Sequence, residues 1–148
     1  MSDESSLLNA SLERAGEMCG DITEPAMARF YKAYPQARRL FDLHGVQGRA
    51  RLEAEMVGNV LYWAMIWPER RVEVATGLAD SVPHHEEVLK VPVALFRGLT
   101  ETVIDLIVET IPPDATAELA LWRQLRAELG EAIESSKLPL APRAAAHP

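Results

Sequence analysis

His84 and His85 stand side by side in the stretch SVPHHEEVLKVPVALF, Ser81 to Phe96, and they are two of only four histidines in the chain. Three kinds of chemistry suit such a pair. A neutral imidazole turned into an apolar pocket, its second ring nitrogen tied to a carbonyl, is what ligation to a haem iron requires. A zinc site could be drawn from His84, His85, Glu86 and Glu87, but adjacent residues do not share a helix face as histidines at i and i+4 do. The plainest alternative is two solvated residues near a helix start. Pro83 suits an early position of a short helical turn, where its missing N–H costs nothing, and Pro92 opens a long apolar segment. No glycine-rich phosphate loop or nucleophile motif competes with this stretch. The acidic residues, Glu53, Glu55, Glu128, Glu131 and Glu134 among them, are arranged as a solvated helix face requires.

A pocket for an imidazole needs walls, and the apolar periodicity supplies candidates. Leu7, Leu8, Leu12, Ala15 and Met18 recur at steps of three and four behind a cap at Ser5 or Ser6, and Gly20 ends that helix. Asp21 or Thr23 caps a second helix with Pro25 in its first turn; Met27, Phe30, Tyr31 and Tyr34 lie along one of its faces. Gln36 to Phe41 is one or two turns, and Asp42 to Gly48 reads as a loop. From Arg49 or Ala50 to Trp67 the pattern is helical again. Its second half, VLYWAMIW, is apolar nearly all round and belongs in a core or against a partner. After Pro68 come a weaker helix from Glu69 to Leu78, with Gly77 as a stop, and the short turn His84 to Lys90. Long helices follow from Pro92 to Ile111 and from Ala115 to about Ser136. No Asn-Gly or Asp-Gly dipeptide and no strict alternation marks a sheet. The expected fold is all-α, with seven to eight helices in a single domain at residues 6–137. Residues 1–5 and the Pro/Ala-rich tail 138–148 are expected to be disordered.

Composition narrows the partners. With 148 residues and 48% apolar content, one core is within reach. A net charge of −7 and a pI near 5.1 argue against nucleic acid or an anionic membrane. Cys19 is alone, so no intramolecular disulfide forms and a reducing cytoplasm is the expected setting. The run Val60 to Trp67 is too short to span a bilayer.

The order of helices, together with FYKAYPQARRLF (Phe30 to Phe41), LEAEMVGNVLYWA (Leu52 to Ala64) and HEEVLKVPVALF (His85 to Phe96), resembles the globin family over roughly residues 6 to 136. The closest resemblance is to bacterial single-domain and flavohaemoglobin-type globins. It implies a globin-like fold and haem b as cofactor, with His85 as the proximal iron ligand and His84 as the fallback. Val91 and Pro92 fit the link that follows that histidine, and Val91 and Phe96 fall among the cofactor contacts. Phe41 takes the place of the phenylalanine that packs flat on the haem. Met27, Leu52 and Met56 fall on the distal side, with Tyr31 in reach if the register shifts by one turn. His44, Arg49 or Arg51 could meet a propionate.

The implied activity is binding or sensing of a diatomic gas, O₂, NO or CO. Met27, Leu52 and Met56 cannot donate a hydrogen bond, and such a bond to a partly negative O₂ is worth ~1–3 kcal/mol, so CO or NO would be favoured. Two departures from the flavohaemoglobin pattern weaken a nitric-oxide dioxygenase reading: Leu95 stands where a tyrosine is expected, and no reductase domain is visible. Such turnover would need a separate reductase. The alternative from another class is a haem-free globin-like module acting as a homodimer in signalling, with Tyr62, Trp63, Ile66 and Trp67 as an interface.

Overall fold

The structure, a computed structural model, describes residues 3–137. Seven helices follow in order: α1 (Asp3–Cys19), α2 (Thr23–Ala33), α3 (Ala37–Asp42), α4 (Gly45–Ile66), α5 (Arg71–Glu87), α6 (Val93–Glu109) and α7 (Thr116–Ser135). No strand occurs among the described residues, as the absence of alternation predicts. No described helix is long and apolar enough to cross a membrane.

Three boundaries differ from the sequence expectation, each for a physical reason. At the N-terminus, α1 already begins at Asp3, within the segment expected to be disordered. Ser5 is buried there and its hydroxyl donates to the Glu69 carboxylate at 3.0 Å, while Asp3 and Glu4 suit the positive end of the helix. The tail 138–148 lies outside the described residues. The expected loop Asp42 to Gly48 is mostly helix: α4 starts at Gly45, whose φ of +74° makes the reversal after α3 that a side chain would strain.

The third difference matters most for the site. The weak helix and the histidine turn are one helix, α5, with Pro83 and Gly77 inside it. An interior proline costs about 3 kcal/mol and a glycine about 1. Against them stand Val74, Leu78 and Val82, four residues apart on one face and all buried. Each such side chain contributes about 1.5–3 kcal/mol, so the buried stripe outweighs both breakers. Beyond α5 the chain turns through Lys90, a non-glycine residue at φ +58°.

The core is built around α6, whose Leu95, Leu99, Val103, Ile104 and Ile107 are buried, and which packs against α7, α2 and α4. The α2–α6 crossing is close because Gly98 has no side chain: a Cβ there would sit 2.6 Å from the Tyr34 ring. That ring is braced by Phe30 at 5.4 Å and cannot swing aside freely. Gly98→Ala is therefore expected to destabilise the protein by about 1–3 kcal/mol, less a helix-propensity gain of up to about 1, read as a lowered urea midpoint.

A buried acid ties α7 to α1. Glu118 is 6% exposed and accepts from the Arg14 guanidinium at 2.6 Å and from the Ser11 hydroxyl. The Arg14 contact holds its carboxyl below the usual carboxylate range. Because the folded pKa is depressed, the stabilisation is present above the unfolded value and is lost as pH falls through the folded one. The thermal midpoint should accordingly drop as pH is lowered from about 6 to about 3, and Glu118→Gln should flatten part of that slope.

Candidate cofactor pocket

Along α4, Leu52, Met56, Asn59, Val60 and Trp63 recur at helical spacing on one face, and that face forms one wall of a cavity of about 390 Å³. From Leu52 to Trp63 the wall runs about 16 Å at 1.5 Å per residue. A void of that volume spread over that length is a slot rather than a sphere. The opposite wall comes from the end of α5 and the start of α6, with His85, Val91 and Phe96 among its residues. Phe41 and His44, from α3 and the corner after it, line it as well. The lining is predominantly apolar, and the volume lies within the range of small-molecule and cofactor sites.

His85 is half-buried in this slot, and its ring is oriented by its own helix. Its Nδ1 lies 2.7 Å from the Ser81 carbonyl one turn back, with the Ser81 hydroxyl at 3.4 Å. A carbonyl only accepts, so Nδ1 carries a proton, and in the neutral tautomer Nε2 keeps its lone pair. No described residue bonds Nε2. The His85 ring meets Phe96 edge-on at 4.9 Å, and Phe96 stacks on Trp63 at 5.8 Å, so aromatic contacts hold the imidazole from the side. The link to α6 folds back on the same residue: the Val91 N–H donates to the His85 carbonyl at 2.7 Å.

Of the residues that the sequence singles out, His85, Phe41, Leu52, Met56, Val91, Phe96 and His44 all line the slot. Met27 does not. It is buried in the core, and Phe30, one turn further along α2, faces the cavity instead. The fallback ligand His84 is exposed and also lies outside the lining. Tyr31 is engaged elsewhere: its hydroxyl donates to Glu53 at 2.6 Å, and burial, helped by that carboxylate, pushes its ionisation far up. Arg49 is drawn to Asp42 at 2.8 Å, whereas His44 stands exposed at the mouth.

Three lining residues carry signals that the motif reading passes over. Asn59 and Trp63 continue the Leu52–Met56 periodicity on α4, and Ser81 stands one turn before His85. The aromatic cluster proposed as an interface divides. Trp63 lines the slot, Trp67 is buried and donates its Nε1–H to Glu128 at 2.8 Å, and Tyr62 is exposed.

The donor set decides which group the slot suits. Among the described residues no cluster of three or more His, Cys, Asp or Glu could hold a metal ion, so the His-His-Glu-Glu zinc site does not form. A single imidazole nitrogen with a free lone pair, at the side of a long apolar slot, fits a flat macrocycle that brings its own equatorial ligands. The residues present therefore fit haem. Compared with known proteins, the chain matches no family model, no curated sequence and no solved structure.

Proposed function

We propose that this protein is a haem-binding, globin-like protein that binds or senses a diatomic gas, with His85 as the residue that would hold the iron. The observation that carries the reading is the His85 ring: it lies in the slot, Nδ1 is held by the Ser81 carbonyl, and Nε2 is unpaired among the described residues. Haem would supply the iron that takes a gas. The chain's own part would be to hold the iron with the His85 imidazole and to wall the cofactor off from water with Phe41, Leu52, Met56, Val91 and Phe96. Titration of the purified protein with haemin tests this: a saturable Soret band at one haemin per chain is expected, and a colourless protein would sink the reading.

A second reading, a haem-free globin-like module that pairs with another copy in signalling, draws support from exposed apolar side chains. Leu43 and Val46 are each 79% exposed beside the slot mouth, with Val88 and Leu89 exposed across from them. Such patches on a monomer commonly mark contacts. Sedimentation before and after haemin addition separates the two: a dimer that takes up no haemin favours the module.

A further inference from the structure

Four of the large apolar side chains left exposed among the described residues, Leu43, Val46, Val88 and Leu89, stand around the mouth of the slot. Leu43 caps the end of α3 and Val46 lies in the first turn of α4, so the two form one corner. Apolar tips this bare contribute nothing to the core. The charge about them is as uneven as the apolar surface. Residues 37–51 hold four arginines and one aspartate, a net +3, which leaves −10 on the rest of a chain of net −7. Asp42 engages two of the four, Arg38 and Arg49. Arg39 and Arg51 are exposed and form no ion pair among the described residues. Arg39 stands one turn before Leu43, on the same helix face. Across the mouth, Lys90 is exposed beside Leu89 and offsets the exposed Glu87, so the positive lip is the α3–α4 corner. The positive end of α4 lies at that corner too, and no side chain caps it.

We propose that this rim docks on an anionic lipid surface, with Leu43, Val46, Val88 and Leu89 in the headgroup layer and Arg39 and Arg51 on the phosphates. The whole-chain charge argues against such a surface. Exposed charges, however, act over a Debye length of about 8 Å, so a membrane meets the corner and not the sum. Apolar side chains set beside unpaired cations are what an interfacial contact combines. A second copy fits this rim less well, because pairing through it would bury the unpaired arginines of both copies in one contact. Docked on lipid, the slot opens toward the acyl chains, and an apolar ligand passes between membrane and cavity without crossing water. The inference concerns the surface round the opening; it goes beyond the haem reading and does not require it.

The test sediments the full chain with vesicles of phosphatidylcholine, alone or mixed with phosphatidylglycerol. Binding to the mixed vesicles is expected, with little to phosphatidylcholine alone, and it should fall as salt rises from about 0.1 M to about 1 M. Leu43→Ser combined with Val46→Ser should lower the partition coefficient about tenfold or more, and Arg39→Ala and Arg51→Ala about fivefold each. All four side chains are exposed, so far-UV circular dichroism should stay that of the wild type. Val72→Ser, at a residue equally bare but at the start of α5, should bind as the wild type does. A chain that stays in solution with the mixed vesicles overturns the proposal, and so does a loss in Val72→Ser as large as in the corner variants. A wild-type dimer that the Leu43→Ser and Val46→Ser pair dissolves, without vesicle binding, gives the rim to a second copy instead. Haemin uptake is read separately from the Soret band, so failure here leaves the haem reading standing.

Discussion

His85→Ala is expected to weaken haemin binding by ~100-fold or more and to remove the axial-imidazole spectrum, while far-UV circular dichroism stays that of a folded helical protein. The effect is large because the slot contains one imidazole in its depth. Its neighbours there, Leu52 and Phe96, carry no lone pair to replace it, and the Met56 thioether is a weaker donor on the α4 wall. His44 is at the mouth and His84 points away from the lining, so neither is placed to substitute. The fold should survive because the ring is only half-buried and its hydrogen bond is local, four residues back within α5. Free imidazole added to His85→Ala should recover the spectrum by entering the space the ring vacates. A variant that binds haemin as the wild type does would mean that the iron is held elsewhere.

The second large effect is one of stability. Trp122 is wholly buried on α7, the largest fully buried side chain, in line with Leu125, Leu129 and Ile133. Trp122→Ala removes that volume from a close-packed interior and should cost about 3–5 kcal/mol. Set against a typical domain stability of about 5–15 kcal/mol, the loss brings the protein near its unfolding threshold. Trp122→Phe should cost much less. Its Nε1–H has no hydrogen-bond partner among the described residues, so phenylalanine gives up no bond and removes a buried, unpaired donor. Urea denaturation of both variants at constant m-value checks the pair. A phenylalanine variant as unstable as the alanine one would show that Nε1 is bonded in solution.

Much of the helical framework was legible because burial follows helical spacing wherever the pattern is strong. The α6 and α7 stripes, Leu95-Leu99-Val103 and Trp122-Leu125-Leu129, appear in the core where the periodicity puts them. Illegible were the places where local signals and tertiary burial oppose each other. Pro83 and Gly77 read as punctuation, yet Val74, Leu78 and Val82 override them and make α5 continuous. Gly45 and Gly48 read as loop, yet α4 runs through Gly48.

The site divides in the same way. From residue types and spacing alone it follows that the chain is helical and that His84 and His85 are the notable imidazoles; that Phe41, Leu52, Met56, Val91 and Phe96 belong near one of them is what the globin resemblance implies. Which histidine enters the slot was settled only by α5 continuing as a helix past Pro83. Adjacent residues lie about 100° apart around such a helix, so one imidazole faces α4 while the other faces solvent. The same rotation of α2 carries Met27 into the core and Phe30 to the cavity, and the continuation of α4 brings Asn59 onto the wall. Side-chain types name the candidates. The angle at which each helix presents them comes from packing against its neighbours, and that depends on the whole chain at once.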